Sequence, residues 1–282
     1  MNKEQNKVLL LGIGGTGLDV ARIIVKNETK GIAVFGIKEQ SELMQLTDNV
    51  FEEYEPVLIV ADLGSEKENS LALKAVTLGK EKGKVVATIL TTPPLFEGEK
   101  AVMGALEAAR KISREVDSSL IINKETFNAL PKEECSFDEL FYSFVAVEDT
   151  IADGINNIMA LISEEGEIKI NVQDLKTVLA ESGTFTIESG FGAGENRVEM
   201  AIEQILSSPL VKKCDISTAR RVLIKLFPPK NPPLTMEEMK EVSGFIKTLP
   251  SHADVKWGVG EPDDDDFLSI IILASGFDVK LP

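Results

Sequence analysis

Short apolar runs alternate with stretches of helical spacing through the first half of the chain. Val8-Leu9-Leu10-Leu11 is continuously apolar, as a strand buried on both faces should be. Behind it stand Gly12-Ile13-Gly14-Gly15-Thr16-Gly17-Leu18-Asp19, and then Val20-Ala21-Arg22-Ile23-Ile24-Val25 with apolar residues at helical spacing. Further strands are expected at 31–37, 56–61, 85–90 and 120–122, with helices at 71–78 and 99–115. Strands that alternate with helices predict a parallel sheet covered on both faces, with ligands beyond the C-terminal ends of its strands.

From Phe137 to Ile162 the pattern changes. Leu140, Phe144, Val147, Ile151, Ile155, Ile158 and Leu161 recur every three or four residues, too far for an ordinary crossover helix. Apolar residues also stand on its other faces, so a helix buried on most sides is expected. Beyond it come helices at 172–181, 195–207 and 235–248 and strands near 184–190, 220–227, 254–260 and 267–274, with a proline loop at 228–233. The expected architecture is α/β: a parallel-sheet Rossmann-like nucleotide-binding domain over 1–136, a central connecting helix over 137–163 and a smaller α+β domain over 164–282.

Composition narrows the chemistry. At 282 residues the chain can bury a sizeable core. It has 46 acidic against 30 basic residues, a formal charge of −16. Such a surface repels nucleic acid and anionic lipid, and no block of Lys and Arg offsets it. No apolar run approaches a membrane span, and the first residues lack a secretory pattern, so a cytoplasmic location is expected. Cys135 and Cys214 fit no metal spacing. The four acids at 263–266 read as a solvated loop, and the single histidine, His252, has no nucleophile to serve. No metal site is expected.

The glycine segment is the candidate for chemistry. A strand, a glycine turn and a helix point backbone N–H groups and a helix N-terminus at a phosphate. Gly12, Gly14 and Gly17 also satisfy the dinucleotide spacing G-x-G-x-x-G, and Glu39 after the second strand could accept a ribose hydroxyl. A tight turn without ligand remains open as well.

Several segments, taken in order, resemble the FtsZ branch of the tubulin superfamily. Thr91-Thr92-Pro93 with Phe96-Glu97-Gly98 is similar to its ribose-side loop, and 166–177 to the loop and helix that carry its catalytic acids. Ser189-Gly190, Gly192-Ala193-Gly194-Glu195-Asn196-Arg197, Ser208-Pro209-Leu210 and Asp215-Ile216-Ser217 with Ala219-Arg220 match further segments of that family. The resemblance implies GTP or GDP, with Mg²⁺ only alongside nucleotide. Gly12, Gly14, Gly15 and Gly17 would hold phosphate, with Asp19 near the base and Glu97 on ribose. Phe144 would stack on guanine, or serve as plain core packing, and Asp149 would accept from the guanine edge. It also implies head-to-tail association with itself or with another FtsZ-like protein.

Departures lie where the chemistry would be. The family's second glycine loop is replaced by Asp62-Leu63-Gly64-Ser65-Glu66-Lys67-Glu68, whose acids would repel phosphate by about 1–4 kcal/mol per close pair. The segment between Ile37 and Pro56 is too short for the γ-phosphate loop, and Ala101 replaces the usual arginine. The family's N-x-D-x-x-D reads Lys169, Asn171 and Asp174 here. An amide at 171 can orient water but cannot take its proton, so GTP hydrolysis is expected to be weak or lost. The chain stops at Pro282 soon after the last strand, so no peptide for membrane adaptors is expected. Three readings follow: a degenerate GTPase that self-associates, a ligand-free interaction module, and an NAD-type dinucleotide enzyme.

Overall fold

The structure, a computed structural model, describes residues 8–46, 48–127, 137–163, 166–212, 214–262 and 266–277. Two compact units make up the chain, Met1–Asn156 and Asn157–Pro282.

In the first unit β1 (Val8–Ile13) runs directly into α1 (Gly14–Lys26). It is followed by β2 (Ile32–Ile37), the short helices α2 (Gln40–Met44) and α3 (Asp48–Glu53), and β3 (Val57–Asp62). After α4 (Glu66–Glu81), β4 (Val86–Thr92), α5 (Glu99–Glu115), β5 (Ser118–Asn123) and α6 (Lys124–Phe127) comes the long helix α7 (Phe137–Leu161), whose residues from Asn157 onward belong to the second unit. The strands pair in the order β2-β1-β3-β4-β5, all parallel. Every residue of β1 and β4 is buried, which is why these strands read as unbroken apolar runs rather than alternating ones. Leu9, Leu11 and Ile13 of β1 share one core with Ala72, Ala75 and Val76 of α4 and Ala105, Ala109 and Ile112 of α5. Helix α1 buries Val20, Ala21 and Ile24 and packs on β1 and β3. Burying each such large aliphatic side chain contributes about 1.5–3 kcal/mol.

The second unit contains α8 (Val172–Leu179), β6 (Gly183–Gly192), α9 (Arg197–Ser207), α10 (Pro209–Lys212), β7 (Arg221–Phe227), α11 (Met236–Ile246), β8 (Asp254–Val259) and β9 (Leu268–Ser275). Strand β9 lies antiparallel to both β6 and β7, and β8 is parallel to β7. One face of this sheet (Val222, Ile224, Ile270, Ile272, Ala274) packs on Val198, Ala201 and Ile205 of α9 and Val242 of α11. The fully buried Lys225 of β7 takes hold of the end of α7. Its Nζ donates to the carbonyls of Ala160, Leu161 and Ser163 at 3.0, 3.2 and 3.1 Å and to Ser163 Oγ at 2.8 Å. A cation belongs there, because the last carbonyls of a helix carry partial negative charge.

The expected α/β class and strand–helix order are present. Helices α2 and α3 appear where no periodicity marked them, since each is too short to display one. Helix α7 buries Val147, Ile151, Ile155, Ile158 and Leu161 of the expected stripe, and Ala152 beside them, while the side chains of Leu140 and Phe144 lie outside the described ones. The acids 263–265 and Cys135 lie outside the described residues.

Candidate functional site

The glycine segment forms the turn from β1 into α1. Gly12 and Gly17 are there for close packing: a Cβ on Gly12 would stand 2.1 Å from the Gly17 carbonyl oxygen, and one on Gly17 only 2.4 Å from that of Val60. Gly14 adopts φ +73° and begins the helix, a conformation that disfavours any side chain. Gly14 and Gly15 border a cavity of about 220 Å³ together with Ile37, Lys38, Lys67 and Glu68.

Carboxylates surround the turn. Asp62, at the end of β3, lies against it: a Cβ on Gly15 would be 3.3 Å from Asp62 Oδ2, and one on Gly14 2.9 Å from Asp62 Cβ. The Thr16 backbone N–H donates to Asp62 Oδ2 at 3.4 Å. The other oxygen, Oδ1, accepts from Thr91 Oγ1 at 2.6 Å and pairs with Lys124 Nζ at 2.8 Å. Residues 62 and 91 are register partners in the parallel pair β3–β4, so the Asp–Thr contact follows from the sheet. The Thr16 hydroxyl, itself buried, donates to Glu148 Oε1 of α7 at 2.7 Å. Lys67 is paired with Glu39 at 2.6 Å.

The remaining expected residues of this unit lie on separate elements. Asp19 is exposed on α1 and paired with Arg22. Glu97 belongs to a short 3-10 turn at Leu95–Glu97 and lines a larger cavity of about 690 Å³ with Leu73, Lys100, Gly104 and Lys111. Asp149 is exposed on α7, beside the Glu148 that reaches Thr16. One turn on, burial and then the charge of Asp149 push the Asp153 carboxyl above its ordinary value. Phe144 belongs to α7, and its side chain lies outside the described ones.

Asn171 and Asp174 open α8 as a reciprocal cap. Asn171 Oδ1 accepts from the Asp174 N–H at 3.0 Å, and Asp174 Oδ2 accepts from the Asn171 N–H at 2.8 Å. This capping box satisfies two backbone donors that a helix start leaves open. Lys256 Nζ then stands 2.6 Å from the same Asp174 Oδ2. Asp174 is thus held by a backbone N–H and an ammonium, in a geometry that supports the helix.

Three residues in these constellations had no mark in the sequence: Lys124, Glu148 and Lys256. Lys124 immediately follows a parallel strand, where ligand-facing groups gather in open α/β sheets, and that position was the available signal. Glu148 and Lys256 depend on contacts between segments far apart in the chain. Among the described residues no cluster of His, Cys, Asp and Glu could hold a metal ion, and no helix is long and apolar enough to cross a membrane.

A parallel unit with a glycine turn at its first strand, then a long helix and an α+β unit, is the element order of the FtsZ/tubulin class. The model of the FtsZ family, C-terminal domain, matches residues 183–278. The cell division protein FtsZ of Porphyromonas gingivalis is 30% identical over 224 residues, which is 79% of this chain and 48% of the relative. That of Buchnera aphidicola subsp. Acyrthosiphon pisum is 29% identical over 265 residues, 91% of this chain and 67% of the relative. The chain therefore spans about half the length of the first relative and two thirds of the second. An empty FtsZ dimer from M. jannaschii shares the fold, with a TM-score of 0.78 at 20% identity over 96% of this chain and 88% of that one. The chain is an FtsZ-like member of the FtsZ/tubulin superfamily.

Proposed function

We propose that this chain is an FtsZ-like cytoskeletal subunit of the cell-division type that associates with copies of itself or with another FtsZ-like chain, and that turns over GTP weakly or not at all. The observation that carries the loss of turnover is the engagement of Asn171 and Asp174. Asn171 has no basic form, and Asp174 is bound to a backbone N–H and to Lys256. A group that must take a proton from water needs a basic lone pair aimed at it; the Asn171 amide has none, and both contacts of Asp174 fall on Oδ2, which binds that oxygen into the helix cap. Association is supported by the relatives, several of which are cell division proteins and one of which was solved as a dimer. Guanine nucleotide, with Mg²⁺ beside it, is the ligand the family resemblance implies; the glycine turn and Glu97 are where it would be met, and Asp62 stands against it at the turn.

The reading as a ligand-free interaction module draws its support from Asp62, which lies where a phosphate would approach α1. The dinucleotide reading is less well supported, because Glu39 caps α2 and pairs with Lys67. Steady-state phosphate release from GTP tests the loss of turnover. Release at the buffer rate across the concentration range that gives self-association supports it. Release that rises with protein concentration and stops on chelating Mg²⁺ overturns it.

A further inference from the structure

The start of α1 has the parts of an anion cradle: a left-handed glycine, a second glycine beside it, and a helix of thirteen residues behind them. An anion in this place is favoured by the helix dipole and by backbone N–H groups with no partner inside the helix. Here an anion already stands there, and it belongs to the chain. Asp62 approaches the turn from the end of β3, accepts from the Thr16 N–H and crowds the space above Gly14 and Gly15.

This carboxylate is built in rather than swung in. Thr91 fixes one oxygen from the neighbouring strand, and Lys124 pairs with that same oxygen from the start of α6. Both partners of the ion pair are largely covered, with 13% and 21% of their side-chain surface exposed, so the pairing is screened less than a surface contact. Glu148 adds a second negative group at Thr16, and Glu68 Oε1 lies 3.3 Å from where a Cβ on Gly14 would be.

We infer that Asp62 is a resident anion that occupies the glycine turn and refuses phosphate-bearing ligands. Lys124 and Thr91 hold it in position, and Glu68 and Glu148 strengthen the refusal. The inference deepens the proposed loss of GTP turnover by naming the residue that decides ligand choice at the turn. It does not depend on whether the chain self-associates.

The test is thermal unfolding of the full chain with inorganic pyrophosphate and with GDP, each with Mg²⁺, for wild type, Asp62→Asn and Lys124→Gln. Asn is nearly the same shape as Asp and can still meet Thr91, but it carries no charge. Wild type should show no shift. Asp62→Asn should melt lower without ligand and rise with pyrophosphate, while wild type stays unmoved up to at least about tenfold higher concentration. Lys124→Gln keeps the carboxylate and loses its counter-charge, so it should melt lower and gain nothing from pyrophosphate. Should Asp62→Asn not fold, Asp62→Ser serves with the same readouts. A wild-type shift as large as that of Asp62→Asn overturns the inference. So does a chain whose Asp62 variants ignore pyrophosphate, and so does a Lys124→Gln that binds it as well as Asp62→Asn. None of these results alters the phosphate-release outcome expected of wild type.

Discussion

Lys256 of β8 and Asp174 of α8 meet at 2.6 Å, and this pair ties the sheet of the second unit to the first turn of α8. The lysine side chain is 43% exposed, so its pairing energy is modest. Lys256→Met is expected to cost up to about 1 kcal/mol, and less in high salt. Urea denaturation at two salt concentrations measures it. A loss that does not change with salt contradicts an ion-pair origin.

The cap at Asn171 predicts a specific ranking. Asn171→Ala removes the acceptor for the Asp174 N–H and should destabilise by about 1 kcal/mol. Asn171→Asp and Asn171→Ser keep an acceptor and should fall within a few tenths of wild type. The same urea midpoints order the three variants.

Arg197 and Glu238 form the most enclosed ion pair among those described. Arg197 Nε donates to Glu238 Oε1 at 2.5 Å and Nη2 donates to Oε2 at 3.1 Å, while the guanidinium also holds the carbonyls of Pro232 and Pro233. Burial pushes the Glu238 carboxyl up, but hydrogen bonds from Arg197 and Thr235 outweigh it and hold it below its ordinary value of 4.5. A folded-state value below the unfolded one adds stability above about pH 4.5, and that stability is lost as pH falls through the folded value. Glu238→Gln should therefore flatten the acid limb of a stability–pH curve. Arg197→Ala leaves a covered carboxylate without its cation and should cost about 3–5 kcal/mol at neutral pH.

Lys225→Met should be costly although it places an apolar side chain in an apolar sheet. Three carbonyls and the Ser163 hydroxyl each lose a donor, the Ala160 carbonyl keeping the Ser163 N–H at 3.3 Å, and each buried acceptor left unsatisfied costs about 1–3 kcal/mol. Hydrogen exchange should show faster opening in the last turn of α7. Unchanged exchange there contradicts the role of Lys225 as its cap.

Much of the fold was legible because strands such as β1 and β4 are buried on both faces, and burial leaves an unbroken apolar run. Helix α7 announced itself through a stripe sustained from Leu140 to Leu161. Gly12, Gly14 and Gly17 marked the turn, yet their spacing could not separate close packing from ligand cradling. The structure gives a packing reason for Gly12 and Gly17 and a conformational one for Gly14. The acidic character of 62–68 was visible in the sequence. Which acid approaches the turn was not, because it depends on the strand order β1-β3-β4-β5 that brings Asp62, Thr91 and Lys124 together. Lys256 was hidden for the same reason: its meeting with Asp174 is a tertiary contact with no local pattern.

Sedimentation velocity of the full chain over a concentration series, with and without GTP and Mg²⁺, bears most directly on a subunit that associates without turning over nucleotide. Larger species that grow with protein concentration and persist unchanged after prolonged incubation with GTP are expected. Species that form only with GTP and disperse as it is converted to GDP would contradict it.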